Sequence, residues 1–93
     1  MKAWELLEQK GWCQWAMAKT YWFWPVSIDS PYAHKFCMLG ACEKVYGHDE
    51  RELMKVYVKF YGANRKIDNM IVWNDAPGRT KAEVIAALKA ADV

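Results

Sequence analysis

The chain is short of nearly everything that would name a partner at first sight. Thirteen Lys and Arg against eleven Asp and Glu leave a formal charge of +2, too small for charge alone to point at nucleic acid or an anionic surface. Its three cysteines, Cys13, Cys37 and Cys42, form an odd set without a Cys-x-x-Cys pair, and no Asn-x-Ser/Thr acceptor occurs. Both observations argue against a secreted disulfide scaffold and for free thiols in a reducing cytoplasm. No apolar run approaches the ~18 residues of a membrane span. Met1 to Lys10 carries charges every few residues instead of the apolar stretch of a signal peptide. Repeats, linkers and low-complexity stretches are also missing, so the expectation is one globular domain over residues 1–93, cytoplasmic, without disulfides and without a membrane partner.

What is present is apolar and aromatic. A hydrophobic fraction of 54% with 26% charged residues belongs to a chain that folds. A domain of this size buries only somewhat over ~60% of its unfolded surface, so each large side chain matters. Residues 2–10 read as a short helix with Ala3, Trp4 and Leu7 on one face and Gly11 as its stop. Residues 12–28 mix aromatics with small residues and read as two extended segments forming a small β-hairpin. Ser30-Pro31 reads as a helix start, with the helix running to about Tyr46, burying Ala33, Cys37, Gly40, Ala41 and Val45, and ending at Gly47. The neighbouring Gly40 and Ala41 imply a close approach by another segment. A third helix from Asp49 to about Tyr61 shows Leu53, Tyr57, Phe60 and Tyr61 at helical spacing and meets Gly62. Met70 to Trp73 is too brief to assign as strand or buried loop. Asn74 to Arg79 is a turn, and Thr80-Lys81-Ala82-Glu83 is a capping box opening a final helix that buries Val84, Ile85 and Leu88. The fold class expected is α+β, mostly helical, with about four helices and one small hairpin.

Three blocks carry a resemblance. Trp12-Cys13-Gln14, then Cys37-Met38-Leu39-Gly40-Ala41, then Trp73-Asn74-Asp75-Ala76-Pro77-Gly78-Arg79-Thr80 with Glu83-Val84 resemble the motif blocks of an uncharacterised family found in bacterial, especially actinobacterial, and phage genomes. That resemblance implies relatives without implying an activity, a cofactor or a catalytic residue. The sequence departs from the family pattern at Trp15, where a glycine is common, and at Tyr21-Trp22-Phe23-Trp24, where a polar turn is usual.

Several chemistries can be assembled on paper. His34 and Cys37, with Cys13 and either His48 or Cys42, make four zinc-type ligands, but the tight pair that structural zinc sites use is missing and no metal is expected. Cys13 or Cys37 as nucleophile, His34 or His48 as base and Asp75 as the orienting carboxylate make the parts of a thiol enzyme. Cys37 in mid-helix would lack the helix amino end that lowers a thiol pKa, which favours packing cysteines and no cofactor. Asn74 and Asp75 are expected to hold the turn that delivers Trp73 to the core. Arg79 is expected to pair with Asp75 or Glu83, or to hold an anion at the helix start. Arg51, Lys55 and Lys59, four apart on one face, with Arg65 and Lys66, form a weak nucleic-acid stripe.

The least accounted-for feature is Trp15 and the run Tyr21-Trp22-Phe23-Trp24. Alternation along an extended segment would put Trp22 and Trp24 on one face and Tyr21 and Phe23 on the other, and a core of this size encloses about half of these rings unless the first and final helices cover both faces. Some are therefore expected to be exposed and to bind a protein partner or a second copy. The functional expectation is a non-enzymatic protein-interaction module, in the form of a small phage accessory protein that binds or inhibits a host protein. A thiol-dependent or hydrolytic enzyme and a nucleic-acid binder are the alternatives.

Overall fold

The computed structural model describes residues 1–47 and 49–93; His48, named above as a candidate ligand or base, lies outside the described residues. The chain runs through α1 (Ala3–Gln9), β1 (Ala18–Lys19), β2 (Pro25–Val26), β3 (Lys35–Phe36), α2 (Met38–Tyr46), α3 (Glu50–Ala63), α4 (Met70–Asn74) and α5 (Lys81–Ala90). The architecture is α+β and mostly helical, with five helices and one three-stranded antiparallel sheet among the described residues.

α2 is the centre. It packs against α1, α3, α4 and β3, while α5 closes the other side of α1 and α3. Leu6 and Leu7 of α1, Met38, Ala41 and Cys42 of α2, Val56 and Phe60 of α3, Met70 of α4 and Val84 and Leu88 of α5 share one buried cluster with Ala18 and Phe36 of the sheet. Leu53 is buried as its spacing predicts, and Trp4, Tyr57 and Ile85 contribute from half-buried positions. The capping box forms as read: Thr80 Oγ1 accepts from Glu83 N at 3.2 Å, and Thr80 N donates to Glu83 Oε1 at 3.0 Å.

The sheet differs from the expected hairpin in its third strand. β1 pairs with β2 in the register Ala18 to Val26, and also with β3 in the register Ala18 to Phe36. Residues 12–17 are irregular apart from a bridge between Trp12 and Phe36. The helix expected from Ser30 therefore begins only at Met38. Ser30 and Pro31 have the chemistry of a helix start, but Ser30 Oγ accepts from Tyr32 N and Ser30 O from Ala33 N, so the same residues close a turn. His34 N then donates to Lys19 O, and Phe36 exchanges backbone bonds with Gly11 and Cys13. These ladder bonds need extended backbone and cannot coexist with helix.

Two further readings shift. Gly62 does not stop α3, which continues to Ala63 and is closed at Asn64, whose side chain donates to Phe60 O and Ala87 O. Met70 to Asn74 is a short helix capped by Asn69, whose Oδ1 accepts from Val72 N.

The close approach implied by Gly40 is real. A methyl group at that position would land on the backbone carbonyl of Met17, which itself accepts from Cys37 N. We predict that Gly40→Ala lowers stability by about 2 kcal/mol or more, since backbone on both sides must move. Chemical denaturation checks this, and a loss under about 0.5 kcal/mol, the scale of an ordinary surface change, would show that the segments separate freely.

Candidate functional site

The three motif blocks meet in space at one side chain. Asn74 is 1% exposed, the one polar residue among the buried ones described. Its Oδ1 accepts from Trp12 Nε1 at 2.7 Å and from Met38 N at 3.0 Å. Its Nδ2 donates to Cys13 O at 3.2 Å and to Asp75 Oδ1 at 2.9 Å. Gln14 Nε2 adds bonds to Asn74 O and Ala76 O, and Trp15 N donates to Asp75 Oδ1 at 3.0 Å. All four valences of a buried amide are thus used, and the partners lie 36 to 62 residues away as well as next door. Asn74 and Asp75 do more than hold a local turn: they clamp the Trp12 loop and the start of α2 onto α4. Trp73, expected as the core anchor, is only half-buried. Arg79 lies over its ring at 3.8 Å while its Nε donates to Trp73 O and its Nη1 pairs with Glu83 Oε2 at 3.0 Å. Arg79 is therefore engaged with Trp73 and Glu83 rather than with Asp75.

Cys37 sits where the sequence did not put it. It is the amino cap of α2, and its Sγ accepts from Gly40 N at 3.2 Å. Burial nonetheless raises its pKa, against the lowering effect of the Gly40 and Leu39 amides. Burial likewise pushes the Cys13 and Cys42 thiols to about 12. All three cysteines are free and buried. His34 is exposed and lies edge-on to Tyr21 at 5.5 Å, on the aromatic side of the sheet rather than on a thiol. Among the described residues no three His, Cys, Asp or Glu side chains gather as a metal site. What the thiols do in this arrangement is pack and cap.

The basic stripe is broken by its own neighbours. Lys55 Nζ lies 3.2 Å from Glu52, and Lys59 Nζ donates to Asp92 O. Arg51, Arg65 and Lys66 are exposed, flanked by the acidic start of α3 and by Asp68. Their alternation with acids gives a surface of mixed charge.

The exposed rings form the other distinct feature. Tyr21, Trp22, Phe23 and Trp24 are 60 to 78% exposed, and Tyr32 matches them at 74%. They are not alternating faces of a strand. Thr20 N donates to Trp24 O, Phe23 N to Thr20 O, and Thr20 Oγ1 accepts from Trp22 N and Trp24 N, so residues 20–24 make the tight loop between β1 and β2. Phe23 closes it at φ 69, a conformation glycine adopts far more cheaply. Between this loop and the 30–34 turn lies an open cleft of about 400 Å³ lined by Tyr21, Trp22, Trp24, Tyr32, Pro31 and His34. Tyr32 has no signal of its own in the sequence, because Ser30-Pro31 reads as a helix start and the turn they form instead brings it to the cleft. Lys35 Nζ covers the Phe23 ring at 4.8 Å.

Two outcomes are expected from this geometry. Asn74→Ala should cost about 3 kcal/mol or more, because it strands several buried donors and acceptors at once. It should exceed the loss from Trp73→Ala despite the larger ring, and urea denaturation of the two variants gives the order. The thiols give a pH signature. In the unfolded chain Cys13 and Cys42 ionise near their ordinary 9.0, whereas folding holds them protonated to about 12. The native state is thus fully favoured below 9 and loses ground as pH rises from 9 to 12, by up to about 1.4 kcal/mol per unit for each thiol. Stability measured at pH 8 and pH 10 should differ by less once both residues are changed to Ala.

A model of the family of unknown function DUF6197 matches residues 1–92, so the chain belongs to that family. No curated protein and no solved structure matches it.

Proposed function

From membership of a family without an assigned activity, we propose that this chain is a non-enzymatic protein-binding module whose partner is gripped by the aromatic loop 20–24 and the cleft beside it. The observation that carries the proposal is the exposure of five large rings in one neighbourhood, one of them at a positive φ. Each such ring can bury roughly 150–250 Å². At the observed exposures the set offers on the order of 600 Å², close to the ~800 Å² that each side of a standard interface contributes. None of these rings belongs to the buried cluster or to the half-buried side chains packed against it.

Charge selects the kind of partner. Between Lys10 and Cys42 the sequence holds Lys10, Lys19 and Lys35 against a single acid, Asp29. Lys35 stands over the Tyr21 and Phe23 rings and pairs in register with Lys19, so the surface suits a different protein with an acidic rim around an apolar centre rather than a second copy carrying the same lysines. The resemblance of the motif blocks adds a bacterial or phage setting, in which the partner is a host protein met in the cytoplasm and the module a phage accessory protein that restrains it.

Trp22→Ala and Trp24→Ala are expected to leave the melting temperature within about 2 °C of the parent, since neither ring packs in the core. Each should weaken capture of the partner by about 30-fold, the effect of losing ~2 kcal/mol at an interface anchor. Affinity capture with the parent and both variants, alongside thermal denaturation, reads the two quantities together. A strong loss of stability with unchanged capture would make the loop a folding element and remove the proposal.

A further inference from the structure

A second cleft lies between residues 15–17, which precede β1, and the end of α4 with the turn after it, and its chemistry is different. Two adjoining cavities of about 200 and 340 Å³ share Trp15, Ile71 and Asp75 in their walls, with Met17 and Cys37 lining the first and Val72 and Pro77 the second. Trp15 is 70% exposed and held at φ 70, pinned by the bond from its backbone N to Asp75 Oδ1. Ile71 and Val72 are exposed as well. The walls are therefore an open indole, two aliphatic side chains and one carboxylate.

That carboxylate is half used. Oδ1 takes bonds from Trp15 N and Asn74 Nδ2, while among the described residues no donor or cation reaches Oδ2. Arg79, the nearest cation in sequence, is committed to Trp73 and Glu83. A carboxylate beside apolar walls attracts positive charge more strongly than one in open water. The face of an exposed indole attracts the same sign. Both elements of the cleft thus select against anions and in favour of a cation, and the open Oδ2 favours a cation that carries an N–H donor.

We infer that the Trp15–Ile71–Asp75 cleft binds a guanidinium or primary ammonium group, with the cation against the indole, an N–H donated to Asp75 Oδ2 and its alkyl stem along Ile71. The group arrives either on a small free molecule or on the side chain of an arginine or lysine in a peptide. This does not depend on the aromatic loop 20–24, and either site can fail without the other.

The test follows the indole N–H resonance of Trp15, identified by its loss in Trp15→Phe, in the intact chain during titration with agmatine, n-butylammonium, a capped Gly-Arg-Gly peptide and tetramethylammonium. Agmatine and n-butylammonium are expected to shift the resonance saturably, at least about ten times more tightly than tetramethylammonium, which cannot donate an N–H. Asp75→Asn keeps an acceptor for Trp15 N and should weaken binding about tenfold or more. Ile71→Arg, at an exposed position, should abolish it by placing a cation at the mouth, and serves if Asp75→Asn fails to fold. Binding of the capped peptide would assign the site to a partner's side chain, and binding of agmatine without the peptide would assign it to a free amine. Absence of saturable shifts up to about 50 mM of agmatine and n-butylammonium, equal binding of tetramethylammonium, or unchanged binding in both variants overturns the inference.

Discussion

A buried primary amide must find four hydrogen-bond partners or cost the fold several kcal/mol. Asn74 finds them on the Trp12 side chain, the Cys13 carbonyl, the Met38 amide and the neighbouring Asp75. Meeting that demand fixes the relative positions of the loop before β1, the first turn of α2 and the end of α4. The two clefts inherit their shape from it, because the Trp12 loop leads into β1 and its aromatic turn on one side and forms the wall around Trp15 on the other. Apolar contacts hold these helices together, but they are nondirectional; the directional bonds of one amide set the register at which they meet.

The helices that stand on their own punctuation were legible in the sequence. Thr80 and Glu83 satisfy amides within the first turn of α5, and Asp49 does so at α3 with a bond from Arg51 N. Such signals are local and need no tertiary partner. The start of α2 misled because Ser30-Pro31 suits a turn as well as a helix, and the choice between them lies with a strand more than ten residues earlier, whose Lys19 carbonyl recruits His34. Cys37 then became a cap, a position cysteine seldom occupies and its residue type does not advertise.

The candidate sites were legible to different degrees. Counting large rings against the capacity of a small core was enough to expect exposure among Tyr21 to Trp24, although the tight turn that produces it replaces the alternating strand that the count assumed. The cleft at Trp15 could not be found this way. It joins residues 15 and 75 through a backbone bond, and only the nearness of the separate motif blocks in space, which Asn74 creates, would have brought them together. The same nearness is why Asp75 faces an indole rather than Arg79.

The distribution of the six tryptophans makes the molecule a double optical reporter. Trp4, Trp12 and Trp73 are half-buried within the packed body, whereas Trp15, Trp22 and Trp24 stand mostly in water, one at the second cleft and two on the aromatic loop. Emission from the native protein is therefore expected to sum a bluer component from the half-buried indoles, of which Trp12 bonds Asn74 directly, and a redder one that external quenchers reach freely. A ligand seated in either proposed cleft would act first on the red component, whereas unfolding would act on both, so the two events are expected to differ in colour.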